Sequence, residues 1–220
     1  MRKHSFRKIL PEVERRKIVD LAKNELKNDN KTAMDYLMSE KRMLNKEDVK
    51  ILVENYDLGY MPYGIKNIYE DLHEFSNRII IPIYDQYNNL VALSSRSVDE
   101  NAGMKFFHES FDKSLYLFGL NVAKQYIIQS GYAIIVEGEF DTMYAHAKGI
   151  KNIVGILGSA LQFYHMSLLL RYCKDIVLLG DGDDAGKELM KKNKKYSKYN
   201  DFNLWFCNLP RGYDPDTYIN

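Results

Sequence analysis

Apolar and polar positions change their spacing along the chain, and the first half predicts helices followed by strands. Residues 10–28 and 44–56 carry apolar side chains at helical spacing, and Asn45 is placed to cap the second helix. Residues 78–84 and 90–95 predict two strands joined by a polar turn, with a shorter strand around 105–108. The first half is therefore predicted to be a mixed α+β region.

From residue 127 the pattern becomes a regular alternation of apolar strands and helical segments. Strands are predicted at 134–137, 152–157, 175–180 and 203–209, and Gly149 is placed to end the first intervening helix. Such alternation is typical of parallel βαβ units. We predict an α/β fold with a parallel sheet flanked by helices, preceded by a smaller mixed α+β subdomain. The predicted domains are residues 1–126 and 127–220.

The composition indicates which broad class of protein this chain belongs to. The 220 residues, 45% hydrophobic and 28% charged, are typical of a soluble globular chain of one large or two small domains. No apolar run approaches the roughly 20 residues that cross a bilayer, and residues 1–8 lack the apolar core of a signal peptide. We therefore expect a cytoplasmic protein without membrane contact.

Cysteine usage argues against a zinc site or a disulfide. Cys173 and Cys207 are the only cysteines, and neither has a second cysteine or a histidine at finger-like spacing. Both are predicted to be small buried apolar residues. The net charge of +1 does not by itself indicate a nucleic-acid partner, but residues 1–8 and 187–199 are strongly basic. Each basic stretch is interpreted as a solvated face or chain end.

Carboxylates follow the predicted strands of the second half. Glu137 ends the first strand, and Asp181 and Asp183 follow the third, with Gly182 permitting a tight turn between them. Asp214 and Asp216 repeat that spacing near the C-terminus. Ligands bind at the carboxyl edge of open α/β sheets, and grouped carboxylates suit a hard divalent cation.

These motifs occur in a specific order. IIVEGEFD, then LGSAL after the second strand, then DGD after the third, resemble the Toprim domain, the catalytic fold shared by bacterial-type primases, topoisomerases and some nucleases. LPRGYDPDTYI near the C-terminus is similar to the LP-G-DPD-T segment of DnaG-type primases. RIIIPIYDQYNNLVALSSR, MKFFHES and FDKSLYLFGL resemble the segments that precede Toprim in the same family. The resemblance covers the chain from about residue 40 to its end.

The resemblance implies a primase core that makes RNA primers on single-stranded DNA from ribonucleoside triphosphates. It implies that Asp181, Asp183, Asp214 and Asp216 hold Mg²⁺ or Mn²⁺ in a two-metal site, with Glu137 as a ligand or the acid/base group. By the same resemblance, nucleotide or nucleic-acid contacts fall on Arg78, Arg96, Lys105 and Lys113. Gly158 and Ser159 are candidates to present backbone N–H groups to a phosphate at a helix start, with a plain tight turn as the favoured alternative. The chain departs from the family where Ser94 and Ser95 replace a common glycine pair.

Further modules of the larger family members lead to expectations about the partners of this chain. We expect neither the zinc-binding module nor the further helical subdomain of larger primases, and therefore a minimal primase of a phage or mobile element in a bacterial host cytoplasm. Such a primase would work with a replicative helicase or a separate zinc-binding protein. Two alternatives stay open: a Toprim nuclease, in which the same acids direct water, and a non-catalytic module that binds nucleic acid or a partner.

Overall fold

A computed structural model describes residues 9–28, 30–63, 75–158 and 161–219 of the chain. They divide into two units, one made of residues up to Ile83 together with Leu90–Phe111, the other of Tyr84–Asn89 together with the residues from Asp112. This division at 111/112 precedes the predicted functional boundary at 126/127, which stays a prediction.

The first unit begins with three helices, α1 (Glu12–Lys27), α2 (Lys31–Leu37) and α3 (Lys46–Tyr56). The sequence predicts α1 and α3 within a few residues. The predicted cap of α3 is confirmed, because the Asn45 side chain accepts from the Asp48 N–H and the Asp48 side chain accepts from the Asn45 N–H, both at 2.9 Å. Helix α2 was not predicted, since seven residues are too few to establish a period.

A four-stranded sheet completes the first unit, in the order β1 (Gly59–Met61), β2 (Arg78–Tyr84), β3 (Leu90–Ser97) and β4 (Phe106–His108). The last three strands match the sequence prediction. Strand β1 depends on close packing against α1, because a Cβ at Gly59 would lie 2.5 Å from the backbone of Ala22. That contact joins distant parts of the chain and has no local signal.

A buried ion pair ties α1 to this sheet. The Arg15 guanidinium donates to Glu109 at 2.7–3.0 Å, and the Leu10 and Leu93 N–H groups donate to the same carboxylate at 2.6 and 3.1 Å. The Glu109 side chain is nearly inaccessible to solvent. Three groups thus satisfy a charge that would be costly to bury alone.

The second unit contains a five-stranded sheet. Its strand order is β5 (Leu117–Phe118), β7 (Ile153–Ile156), β6 (Tyr132–Val136), β8 (Asp175–Gly180) and β9 (Asn203–Asn208). Strands β6 to β9 pair in parallel, which confirms the predicted α/β fold, whereas β5 pairs antiparallel with β7 at one edge. The two-residue β5 is too short to be predicted.

Helices pack on both faces of this sheet: α4 (Leu120–Ser130), α5 (Glu139–Ala147), α6 (Phe163–Leu169), α7 (Asp184–Asn193) and α8 (Pro215–Ile219). Ile135 and Leu178 belong to a core cluster that includes Leu189 of α7. The neighbouring Val136 belongs to another cluster with Ala145 of α5. Alternate strand residues therefore face different helices, and the sheet is covered as in other doubly wound folds.

Solvent exposure corrects one of the two cysteine predictions. Cys173 is buried as expected, but Cys207 is exposed. The prediction for Cys207 was wrong because β9 is an edge strand whose side chains are mostly exposed. Across the described ranges, each helix falls short of the length or apolar character that a bilayer-spanning helix requires.

Candidate active site

Two parallel strands deliver carboxylates to the same edge of the second unit's sheet. Glu137 directly follows β6 and Asp181 directly follows β8, and these strands are neighbours with Ile135 opposite Leu178. Parallel neighbours end at one edge, so both side chains emerge there. Asp183 lies two residues further on and caps α7, accepting a hydrogen bond from the Gly186 N–H at 2.8 Å.

The turn that carries Asp181 and Asp183 leaves no room for larger residues at its two glycines. A Cβ at Gly182 would lie 1.9 Å from the carbonyl oxygen of Pro210, and one at Gly186 would lie 2.2 Å from that of Asp181. Both positions require glycine because neighbouring backbone occupies the space a side chain would need. The close approach fixes the turn against the segment before Asp214.

That segment is also hydrogen-bonded to the turn. The Gly182 N–H donates to the Tyr213 carbonyl at 2.8 Å, and the Gly212 N–H donates to the Gly182 carbonyl at 3.2 Å. Asp214 follows and caps α8, its Oδ1 accepting from the N–H and hydroxyl of Thr217 at 2.9 and 2.6 Å. Asp216 lies buried on α8.

The carboxylates are close enough to perturb one another. Burial raises the pKa of Glu137, and the charges of Asp181 and Asp183 raise it further. The pKa of Asp181 is raised to about 6 by burial and then by Asp183 and Asp214. Glu137 Oε1 is buried and finds no hydrogen-bond partner among the described residues. Negative charge thus accumulates at this edge, and no cationic side chain among the described residues offsets it at Glu137 or Asp181.

Asp141 is a member of the site that sequence reasoning missed. Its pKa is raised to about 8, chiefly by burial and then by the charges of Asp216 and Asp181. Its Oδ2 accepts a hydrogen bond from the Gly138 N–H at 3.0 Å, which turns the carboxylate toward the strand end. The sequence did contain a signal for Asp141. It lies on the first turn of the helix after Glu137, three residues after Gly138, which is the spacing of a capping box.

The donor set fits a hard divalent cation. Within the described ranges, no group of three or more histidine, cysteine, aspartate or glutamate side chains is placed to hold a metal ion. Mg²⁺ normally uses one or two carboxylates together with water and substrate phosphates, so fewer than three protein ligands are sufficient for it. The buried Glu137 Oε1 and the raised pKa values of Asp141 and Asp181 are features that a cation would relieve.

Arg78, predicted to contact nucleotide or nucleic acid, is held inside the first unit. Its Nε donates to Ser95 Oγ at 2.9 Å, and its Nη2 donates to the carbonyls of Met104 and Lys105 at 2.9 and 3.0 Å. Ser95 is one of the serines that replace the family's glycine pair, and it supplies an acceptor that glycine lacks. Arg78 therefore anchors the segment that carries Lys105.

Arg96 and Lys105 differ in exposure. The Arg96 guanidinium lies 4.5 Å from the centre of the Phe106 ring, and its Nε donates to the Tyr36 hydroxyl at 3.2 Å. Such stacking orients the guanidinium while leaving it partly exposed. Lys105 is exposed just before β4. Their predicted ligand contacts stay predictions.

The remaining predicted contacts lie in the second unit. Lys113 opens a short 3-10 helix (Lys113–Leu115), and its carbonyl oxygen lies 3.2 Å from His165 Nε2. Gly158 is exposed after β7 and α6 begins at Phe163, so Gly158 does not start a helix. Its predicted contact with a phosphate stays a prediction. Ser159 lies outside the described residues.

Two family models and several DNA primases are similar to this chain in sequence. A family model described as Toprim-like matches residues 134–219, and one described as DNA primase catalytic core, N-terminal domain, matches residues 69–124. The DNA primase of Aquifex aeolicus is 37% identical over 158 residues, covering 70% of this chain and 31% of that protein. The DNA primase of Lactococcus lactis is 31% identical over 184 residues, covering 81% and 28%.

Solved structures match more of the chain. The zinc-binding and RNA polymerase domains of the Aquifex aeolicus primase match with a TM-score of 0.79 at 29% identity, covering 99% of this chain and 60% of that one. A DnaG primase catalytic domain bound to single-stranded DNA matches with a TM-score of 0.76 at 24% identity, covering 93% and 74%, which shows the shared fold. The chain spans about a third of the length of the curated relatives it matches.

Proposed function

The chain belongs to the DnaG-type DNA primases through its catalytic core with a Toprim domain, and on that premise we propose that it joins ribonucleotides into short RNA primers on single-stranded DNA. The observation that carries the proposal is the mutual perturbation of carboxylates from separate loops at one sheet edge. Perturbed groups of this kind cluster at catalytic sites. The alternation of strand and helix alone would not distinguish this function from others of the same fold class.

We assign the cation-binding role to the acidic edge. Asp181, Asp183 and Asp216, with Asp141, would hold Mg²⁺ or Mn²⁺, and Asp214 contributes charge while it caps α8. Bound divalent cations would offset the charge of the triphosphate and favour ionisation of the primer hydroxyl. The protein's own contribution is a rigid set of oxygens, fixed by the glycine contacts of the 181–186 turn.

Glu137 is the proposed acid/base group. In the reaction the primer 3′-oxygen bonds to the α-phosphorus of the incoming nucleotide while the bond to pyrophosphate breaks, and the 3′-hydroxyl loses a proton. A carboxylate with a raised pKa accepts that proton more readily than an ordinary one. Its buried and unbonded Oε1 leaves an acceptor available for this purpose.

Basic side chains would bind the polyanionic substrates. We assign Arg96, Lys105 and Lys113 to contacts with template or nucleotide phosphates. A guanidinium group binds a phosphate through two parallel hydrogen bonds, and an ammonium group binds it as a point charge. Arg78 is proposed as a positioning residue, because its hydrogen bonds hold the backbone at Met104 and Lys105.

Partners follow from the relatives. One similar structure contains single-stranded DNA and another includes a zinc-binding domain, so template DNA and a zinc-binding module are proposed partners here. Ribonucleoside triphosphates and a replicative helicase are proposed from the activity. Such work would be done in the bacterial cytoplasm.

Primer synthesis by the purified chain tests the proposal. Single-stranded templates and labelled ribonucleotides would be supplied with Mg²⁺ or Mn²⁺, using the unaltered chain, Asp181→Ala and Asp175→Asn. Asp175 starts the strand that Asp181 follows, so it is a matched carboxylate at the opposite sheet edge. Short template-dependent RNA, lost in Asp181→Ala and kept in Asp175→Asn, is expected.

Two other results would redirect the assignment. A metal-dependent loss of the template itself would indicate a Toprim nuclease. An absence of both products, with and without an added zinc-binding module, would indicate a binding role.

A further inference from the structure

A strip of lysines lies on the second unit, beyond the acidic edge. Residues 184–198, which form α7 and a 3-10 helix (Lys194–Lys198), contain six lysines against two acidic residues. Lys187 pairs with Asp184 at 2.9 Å. The other five are exposed and form no ion pair within the described part of the chain: Lys191, Lys192, Lys194, Lys195 and Lys198. Their mutual repulsion would be relieved by an anionic ligand.

An exposed aromatic ring stands beside two of these lysines. Phe206 lies on the edge strand β9 with 39% of its surface exposed. Together with Met190, Lys191 and Lys194 it lines a surface cavity of about 390 Å³. The cavity is thus lined by an aromatic ring and by parts of two lysine side chains, and solvent reaches all three residues.

A second aromatic depression lies at the start of the same strand. Tyr199, 46% exposed, helps to line a cavity of about 360 Å³ that also includes Leu204 and Trp205. The Tyr199 ring centre lies 6.2 Å from that of Phe202 and 5.0 Å from that of Phe163. Tyr199 directly follows Lys198 in the chain. Leu204 and Phe206 lie two residues apart on β9, so their side chains share one face of the strand.

We propose that this surface, formed by Lys191, Lys194, Lys198, Tyr199 and Phe206, binds single-stranded nucleic acid. Proteins that hold single strands combine lysines or arginines on the phosphates with aromatic rings on which bases stack. A duplex would satisfy the lysines but hides its base faces from Phe206 and Tyr199. An acidic peptide would satisfy the lysines but has no planar groups for the rings. The combination therefore favours an unpaired strand.

The position of the surface separates it from the acidic edge. Helix α7 begins beside Asp183 and packs back along the sheet, so Lys191 and Lys194 lie roughly 10–15 Å further along its axis at 1.5 Å per residue. The inference goes beyond the proposed function, because it adds a contact for a single strand away from the reacting groups. It stands or falls independently of primer synthesis.

Binding of a labelled 20-nucleotide single-stranded DNA, measured by fluorescence anisotropy in chelator, tests this inference. Expected are binding about tenfold weaker in Lys191→Glu/Lys194→Glu and about fivefold weaker in Phe206→Ala, as for lost phosphate and stacking contacts. The lysine variant should also show a shallower dependence of affinity on salt concentration, by about 1.4 in the logarithmic slope for two contacts. Circular dichroism would establish that each variant is folded.

Matched variants make the result specific. Lys17→Glu/Lys50→Glu makes the same charge change on α1 and α3, and should weaken binding by less than the strip variant. Asp181→Ala, which is expected to abolish synthesis, should bind DNA no more weakly than the unaltered chain. A failure of the proposed function can therefore be distinguished from a failure of this inference. Unchanged binding in either strip variant, an equal loss in the Lys17/Lys50 variant, or no binding by the unaltered chain would overturn the inference.

Discussion

The Gly182 N–H donates a hydrogen bond to the Tyr213 carbonyl at 2.8 Å. This bond joins the turn that carries Asp181 and Asp183 to the segment that leads into Asp214 and Asp216. Two aspartate pairs that lie about thirty residues apart in the sequence are thereby brought to one sheet edge. The acidic site depends on this backbone contact as much as on the carboxylates themselves.

Substituting Gly182 should therefore disrupt the site. In Gly182→Ala the new Cβ would lie 1.9 Å from the Pro210 carbonyl oxygen, so the two segments must separate. We expect a loss of roughly 1–3 kcal/mol in the free energy of unfolding, as for other overpacked positions, and loss of synthesis. Gly103→Ala is the control, since a Cβ there meets nothing within 4 Å. Equal stability of the two variants in urea unfolding would contradict the account.

Glu137→Gln should remove synthesis without unfolding the protein. The amide keeps the size of the side chain but can neither take up the proton nor carry charge, and general acid–base groups typically contribute 10²- to 10⁴-fold. The thermal midpoint should be unchanged or higher, because repulsion from Asp181 and Asp183 is relieved. Single-turnover primer extension would measure the rate, with the exposed Glu188→Gln as control. A rate within a few-fold of the unaltered chain would exclude Glu137 as the acid/base group.

Mg²⁺ should stabilise the chain more at pH 9 than at pH 6. With metal removed, protonated Asp141 favours the folded state fully below its ordinary pKa of 3.8, and this contribution is lost as the pH rises through about 8. Cation binding requires the ionised carboxylate and so becomes more favourable over the same range. Differential scanning fluorimetry with Mg²⁺ or chelator at both pH values would measure the effect. In Asp141→Asn the pH dependence of the Mg²⁺ effect should shrink, and an unchanged dependence would argue against Asp141.

Removing the buried charge of Glu109 should destabilise the first unit. Glu109→Gln leaves the Arg15 guanidinium buried without its counter-ion, which typically costs about 3–5 kcal/mol. Glu100→Gln breaks an exposed pair with Lys41, which solvent screens, and should lower the free energy of unfolding much less. Chemical denaturation of both variants would compare them. A similar small effect at the two positions would show that the buried pair is replaceable.

Acidification should destabilise the second unit through His146. This side chain is buried on α5, with Nε2 2.9 Å from the Ile153 carbonyl oxygen, and burial lowers its pKa from 6.5 to about 4. The unfolded chain takes up the proton near pH 6.5 while the folded one does not, so stability is complete above that pH and is lost as the pH falls toward 4. The loss is at most about 3 kcal/mol.

The His146→Gln variant isolates this contribution. Its unfolding free energy should fall less steeply between pH 7 and pH 4 than that of the unaltered chain. Parallel curves for the two proteins, measured by urea unfolding, would mean that other groups cause the acid sensitivity.

Sequence spacing was sufficient for the elements with a strong local pattern. Helix α3 with its Asn45 cap, strand β8 and the alternation of the second half were all predictable, because capping residues and apolar periods act over a few neighbouring positions. Strands β1 and β5 were not, since each is two or three residues long and exists because a distant segment packs or pairs with it. The exposure of Cys207 likewise follows from the position of β9 at the sheet edge.

The sequence by itself determined which acids stand at strand ends, because strand periodicity and residue identity are local properties. Only the tertiary structure decided that Asp141 lies with these acids. It also decided that the Arg78 side chain binds the backbone at Met104 and Lys105. It also placed Phe206 beside Lys191 and Lys194. The reason is physical: shared burial, mutual charge effects and side-chain proximity arise between segments far apart in sequence, and only folding sets their distances.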